Sequence, residues 1–216
     1  MLLFQDLNIT WLGHDGFLLE HDGFTICIDP FRISKARKVD VICITHSHFD
    51  HLSVEDIAKL VGPETIVICP KECASALQTY HPRIISPGQS IQIGSMTVKA
   101  VVAYNTNKFR EGTVVFHPKS DGKLGYLMTL GGIVVYHTGD TDKIPEMENY
   151  TCDVALLPVS GTYVMTAEEA IEAALVLSPK LVIPMHYGSI VGSLADAKRF
   201  SDGLSGRIRV EILDVE

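Results

Sequence analysis

The stretch Val41-Ile42-Cys43-Ile44-Thr45-His46-Ser47-His48-Phe49-Asp50-His51 decides how this chain is read. A run of apolar, strand-forming residues ends in three imidazoles and a carboxylate within six positions. Burying so many polar groups together is costly unless something satisfies them. A divalent transition metal does so, and imidazole with carboxylate is the donor mixture of open, catalytic sites. The alternate residues His46 and His48 can aim at one ion while Asp50 and His51 continue around the turn toward a second. The plain alternative is a solvated loop after a strand. None of Cys27, Cys43, Cys69, Cys73 and Cys152 forms a C-x-x-C pair, so a closed thiolate zinc site is disfavoured.

The pattern H-x-H-x-D-H, carried by His46, His48, Asp50 and His51, resembles the signature of the metallo-β-lactamase-fold hydrolases. Four further segments extend the resemblance over most of the chain: Trp11-Leu12-Gly13-His14, Ile28-Asp29-Pro30, Thr138-Gly139-Asp140-Thr141-Asp142 and Pro184-Met185-His186-Tyr187-Gly188. The Gly-His segment and the short chain are most similar to the branch containing ascorbate-6-phosphate lactonase and its uncharacterised prokaryotic relatives. The resemblance implies a four-layer αββα sandwich of two mixed sheets. It also implies two divalent ions, with His46 and His48 on the first, Asp50, His51 and His186 on the second, and Asp140 bridging them. Zinc is the default for such a site, with manganese or iron as alternatives.

One position departs from the family. Relatives place a third histidine for the first ion after a strand ending in a sequence like Pro-Ala-x-His, where this chain has Val102-Ala103-Tyr104-Asn105. An amide oxygen is the weaker zinc ligand, and Asn105 is expected beside the site rather than as a full replacement. His117 lies in the following loop and could reach back to take the vacant role; a surface histidine beside Pro118 is the plain alternative. His14 is expected in the pocket as a proton donor or substrate contact, or as a hairpin-turn histidine satisfied by backbone. Asp29 is expected to orient a ligand histidine through its outer nitrogen, with a simple turn residue as the competitor.

Composition fits a single domain over residues 1–216 with an ample core. Acidic residues exceed basic ones by 26 to 18, which argues against nucleic acid or an anionic membrane as partner. The basic run Arg32, Lys35, Arg37, Lys38 could draw an anionic substrate, although a solvated loop explains it as well. Cysteines inside apolar strands, no signal-like N-terminus and no apolar run of roughly 20 residues point to the cytoplasm. A homo-oligomer is open, since no interface stripe is legible.

Expected elements include hairpin strands Ile9 to Gly13, Gly16 to Glu20 and Phe24 to Ile28, and a helix from Val54 to about Val61 capped by Ser53. A strand Thr65 to Cys69 and a helix Lys71 to Gln78 follow. Strands Ser90 to Ile93, Met96 to Val102, Tyr126 to Leu130 and Ile133 to Tyr136 come next, the last two around Gly131-Gly132. A β-α-β unit closes the series: Val154 to Pro158, Ala167 to Leu177 with a Thr166/Glu169 capping box, and Leu181 to Met185.

With no G-x-S-x-G elbow and no Gly-rich nucleotide fingerprint, the expected activity is hydrolysis of a small ester, lactone or phosphoester. A phosphorylated sugar lactone is the specific candidate, and Asp50 helps to orient the attacking water. The alternatives are a phosphodiesterase, or a non-catalytic metal-binding sensor if Asn105 weakens the first site.

Overall fold

Short apolar strands joined by tight turns account for the first half of the chain, and the computed structural model describes all of residues 1–216. β1 (Leu2–Phe4), β2 (Leu7–Gly13), β3 (Gly16–His21) and β4 (Phe24–Ile28) form an antiparallel meander. β5 (Val41–Cys43), β6 (Ile66–Cys69) and β7 (Arg83–Ile84) then add in parallel, completing a seven-stranded sheet in chain order. Helix α1 (Val54–Leu60) crosses over between β5 and β6.

The second half repeats the scheme. β8 (Ser90–Ile93) and β9 (Met96–Val102) pair antiparallel, and a small ribbon of β10 (Phe109–Arg110) and β11 (Val114–Val115) stands apart. β12 (Leu124–Leu130) and β13 (Ile133–His137) extend the antiparallel part. β14 (Val154–Pro158), β15 (Leu181–Met185) and β16 (Arg209–Val210) add in parallel, with α2 (Ala167–Leu177) and α3 (Leu194–Leu204) as the crossovers. Pro184 is tolerated in β15 because β16 pairs only with Leu181 and Val182 and has ended before it.

The main core, 46 buried residues against 12 under α1, is shared by the two sheets and the buried faces of α2 and α3. Ile57 and Leu60 of α1 close the smaller cluster on the outer face of the first sheet, while α2 and α3 cover the second. This is the expected αββα layering. The parallel strands β5, β14 and β15 are buried along their whole length, as strands covered on both faces are. Their C-terminal ends open at one edge, where such sheets usually bind ligands.

Two expectations change, and one further helix is present. The helix over Lys71 to Gln78 is absent: two three-residue 3₁₀ turns, Lys71–Cys73 and Gln78–Tyr80, take its place. No side chain caps either turn. The Glu72 carboxylate instead accepts from Ser47 N at 2.9 Å and Lys123 Nζ at 3.3 Å, tying this segment to the loop of the histidine run. Helix α3 was not legible, because Gly203 lowers its helical propensity. A Cβ there would lie 2.2 Å from Ile171 Cδ1, so the glycine is the contact that lets α3 approach α2. Lys35 and Arg37 pair with Glu216, and Lys38 donates to Val61 O, so most of the basic run is held away from the crevice. No helix is long and apolar enough to cross a membrane.

Candidate metal centre

Each polar side chain of interest sits just past a strand end or in a turn fixed by the core. β4 leads to Asp29, β5 to His46, β13 to Asp140 and β15 to His186. Gly139 makes the β13 exit possible: its φ is +62°, and a Cβ would fall 2.4 Å from Leu124 O. His14, Asp29, Tyr163 and His186 also take positive φ, at 51°, 41°, 64° and 58°. Backbone strain of this sort gathers at functional sites.

Two neighbouring clusters result. His46, His48, His117 and Asp140 present one possible ligand atom each within 4.8 Å of one another, and so do His14, Asp50, His51 and His186. Asp140 joins the halves: its Oδ2 is 3.7 Å from His46 Nε2, and its Oδ1 is 3.4 Å from His51 Nε2 and 3.5 Å from His186 Nε2. Such separations are long for hydrogen bonds. They match donor atoms sharing a tetrahedral ion at about 2.0–2.2 Å, which lie about 3.3 Å apart.

The outer nitrogens are held by protein. Thr45 Oγ1 donates to Asp29 Oδ2 at 2.5 Å, and its oxygen accepts from His46 Nδ1 at 3.0 Å. His51 Nδ1 donates to Asp29 Oδ2 at 2.8 Å, and Ser160 Oγ lies 2.9 Å from His186 Nδ1. By contrast His46 Nε2, His51 Nε2 and Asp140 Oδ1 are buried without any hydrogen-bond partner. Buried polar atoms are rarely left so, and these three converge on one another, with Asp140 Oδ1 3.4 Å from His51 Nε2. The residues therefore fit a metal group.

The electrostatics agree. Burial holds the His46, His48 and His117 imidazoles below the usual histidine value, His117 to about 3, so they are neutral and able to coordinate. Burial is the largest influence on His51 and His186 and opposes their charge, but Asp140 together with Asp15, and for His51 also Asp29, outweighs it and raises both, His186 to about 9. Burial would raise Asp140 too, yet His51 and His186 hold it well below the usual carboxylate range.

His117 is fully buried, its Nε2 3.4 Å from His48 Nδ1, so it is no surface residue. Asn105 has no oxygen to spare: Oδ1 accepts from His117 N at 3.1 Å, and Nδ2 donates to Asp142 Oδ1 and Tyr163 O at 3.0 and 2.9 Å. Its part is to seat the His117 loop. His14 stands within the second cluster and lines a neighbouring cavity with Phe31 and Tyr187. It is buried beside His186 and away from the cavity over the clusters, with Nε2 donating to Asp50 Oδ2 at 3.0 Å.

Sequence reasoning missed Asp15. It is fully buried, both its oxygens lack partners, and it groups with His51, Asp140 and His186. Its place in His14-Asp15-Gly16 looked like ordinary turn chemistry. His137 fixes that turn: Gly139 N donates to Nδ1 at 3.1 Å, so Nε2 donates to Asp15 O at 2.9 Å.

Residues 8–186 match the model of the beta-lactamase superfamily domain. The chain belongs to the beta-lactamase superfamily. Members similar to it include a UPF0173 protein of Pyrococcus abyssi, 33% identical with 88% of each chain covered. A UPF0173 metal-dependent hydrolase of Carboxydothermus hydrogenoformans is 31% identical, covering 96% of this chain and 97% of the relative. Among solved superfamily structures, one described as a candidate metal-dependent hydrolase from Parabacteroides distasonis superposes with a TM-score of 0.85 at 32% identity. That match covers 97% of this chain and 94% of the other.

Proposed function

We propose that this superfamily member is a metal-dependent hydrolase acting, as a single domain, on a small ester or lactone. The observation that carries the reading is the convergence of the unpartnered His46 Nε2, His51 Nε2 and Asp140 Oδ1. The names of its relatives as metal-dependent hydrolases support it. His46, His48, His117 and Asp140 would hold one divalent ion, and Asp50, His51, His186 and Asp140 a second. Zinc suits the imidazole-rich first set, while the carboxylates of the second leave room for manganese or iron.

Bound ions of this kind polarise a carbonyl and lower the pKa of water from about 15.7 to near 7. The chain's own residues do the rest. Asp50 is fixed through Oδ2 by His14, which leaves its other oxygen to accept from the attacking water and orient it. Asp29 and Thr45 hold His51 and His46 in the rotation that turns Nε2 inward. A cavity of about 220 Å³ opens over His48, Asp50, Asp140 and His186, and no Lys or Arg lines it. That lining favours an ester or lactone over a phosphorylated sugar lactone or a phosphodiester. The five buried free cysteines suit a reducing, cytoplasmic setting.

Metal analysis of protein purified without chelator, followed by titration of stripped protein, tests this. Two ions per chain and metal-dependent ester or lactone hydrolysis are expected. Binding without turnover on any ester, lactone or phosphoester would favour a sensor, and no binding after reconstitution would sink the reading.

A further inference from the structure

The cavity over the metal centre has walls unlike its floor. Phe49, Phe116, Tyr163, Ile190 and Val191 line it above the histidines and carboxylates. Phe116 and Tyr163 stack, with ring centroids 3.8 Å apart and planes inclined by 13°. Phe49 packs edge-on against Phe31 at 5.9 Å, yet is itself 67% exposed. Tyr163 and Ile190 are 44% and 40% exposed. Large apolar side chains left open around one concavity mark a binding surface rather than a core.

The aromatic wall is held in place at a cost. Tyr163 sits at φ 64°, a region bulky residues rarely adopt. Its carbonyl is pinned by Asn105 Nδ2 at 2.9 Å, and the same amide seats the backbone of His117, next to Phe116. One buried side chain thus sets both stacked rings relative to the histidine cluster. The nearby cation is engaged: the Arg110 guanidinium carbon lies 4.3 Å from the Phe116 ring centroid.

We propose that this wall is a subsite for a flat, uncharged apolar group, so that the substrates are esters or lactones bearing an aryl substituent. The proposal rests on the hydrolase reading above. In the reaction, water oxygen bonds to the acyl carbon as the acyl C–O bond breaks. One water proton leaves with the alcohol and the other stays on the acid or enters solvent. Phe116, covered by Tyr163 and Arg110, would present its edge, while the exposed Tyr163 and Phe49 rings hold the substituent flat, exclude water from the side of attack and recognise a ring without needing charge.

The test uses the metal-loaded full chain as wild type, Phe49→Ala and Tyr163→Gly. The first truncates an exposed side chain, and the second places glycine at a positive φ, so both should fold. Binding is read with neutral N-phenyl-1-naphthylamine by fluorescence, and turnover with methyl 2-naphthoate, methyl acetate and 1-naphthyl phosphate. Expected are saturable probe binding weakened about tenfold in each variant, and a naphthoate-to-acetate ratio of kcat/KM that falls about tenfold or more. Probe binding that is absent, or unchanged in both variants, while the wild type hydrolyses methyl acetate would overturn the subsite and leave the hydrolase intact. A preference for the phosphate would do the same and point to Arg110. If the wild type hydrolyses none of the three, the substrate assignment falls with the hydrolase reading.

Discussion

Asn105 and His117 are joined in both directions: the Asn105 N–H donates to the His117 carbonyl at 2.8 Å, and Asn105 Oδ1 accepts from the His117 N–H at 3.1 Å. The residue that departs from the family pattern therefore seats the histidine proposed as its substitute. An imidazole at 105 could not make all three polar contacts of the side-chain amide, and the His117 ring already occupies the space beside His46 and His48.

Asn105→Ala should accordingly lower metal content to about one tight ion per chain. Leaving the His117 N–H without its side-chain acceptor should also cost about 1–3 kcal/mol. Chemical denaturation and elemental analysis of the same preparation check both. His117→Ala should lose the same ion with a smaller loss of stability in the stripped protein; two tight ions in that variant would end the assignment of His117 as a ligand.

Asp29 accepts from His51 Nδ1, from Thr45 Oγ1 and, at 2.8 Å, from the Thr45 N–H. Removing a carboxylate behind a ligand histidine commonly weakens metal affinity by about 10–100-fold. Asp29→Ala should therefore weaken the ion at His51 more than the one at His48, read by competition with a chromophoric chelator.

Asp15 should behave in the opposite sense to Asp29. Burial is the largest influence on it and raises its pKa well above 3.8. A carboxylate raised on folding costs stability once the pH exceeds its unfolded value, and the cost grows until the folded value is passed. Chelator-stripped Asp15→Asn should thus exceed wild type by about 1–4 kcal/mol at neutral pH, with the gap vanishing below about pH 3.8. Bound metal should narrow it, because cations compensate the wild-type charge. Urea titrations at several pH values, with and without metal, measure it.

Asp56, away from the metal centre, carries an acid-side dependence. Burial pushes its carboxyl up, but bonds from Lys59, Ser53 and the Arg32 N–H outweigh that and hold it below 3.8. Its stabilisation is present above the unfolded value and is lost as pH falls through the lower folded one. Asp56→Asn should cost about 1.5–3 kcal/mol at pH 7 and little below the folded value. A gap independent of pH would contradict the charge argument.

Sequence alone determined most of the longer strands and named candidate donors. Alternating apolar runs, Gly-Gly and His-Asp-Gly turns, and the capping box at Thr166 are local, and β4, β8, β9, α2, β14 and β15 lie where local chemistry puts them. The histidine run is local too, which is why its chemistry was legible before any contact was known. Tertiary structure decided what depends on neighbours distant in the chain. It replaced the helix over residues 71–78 because Glu72 is engaged by Ser47 and Lys123, and it allowed α3 because Gly203 meets Ile171. It turned His117 inward and His14 toward Asp50, and it buried Asp15 among charges that no turn motif announces. Strand formation follows from backbone and side-chain preferences within a few residues. Burial, orphaned hydrogen bonds and opposed charges arise only where separate strands end together, and there the metal centre is made.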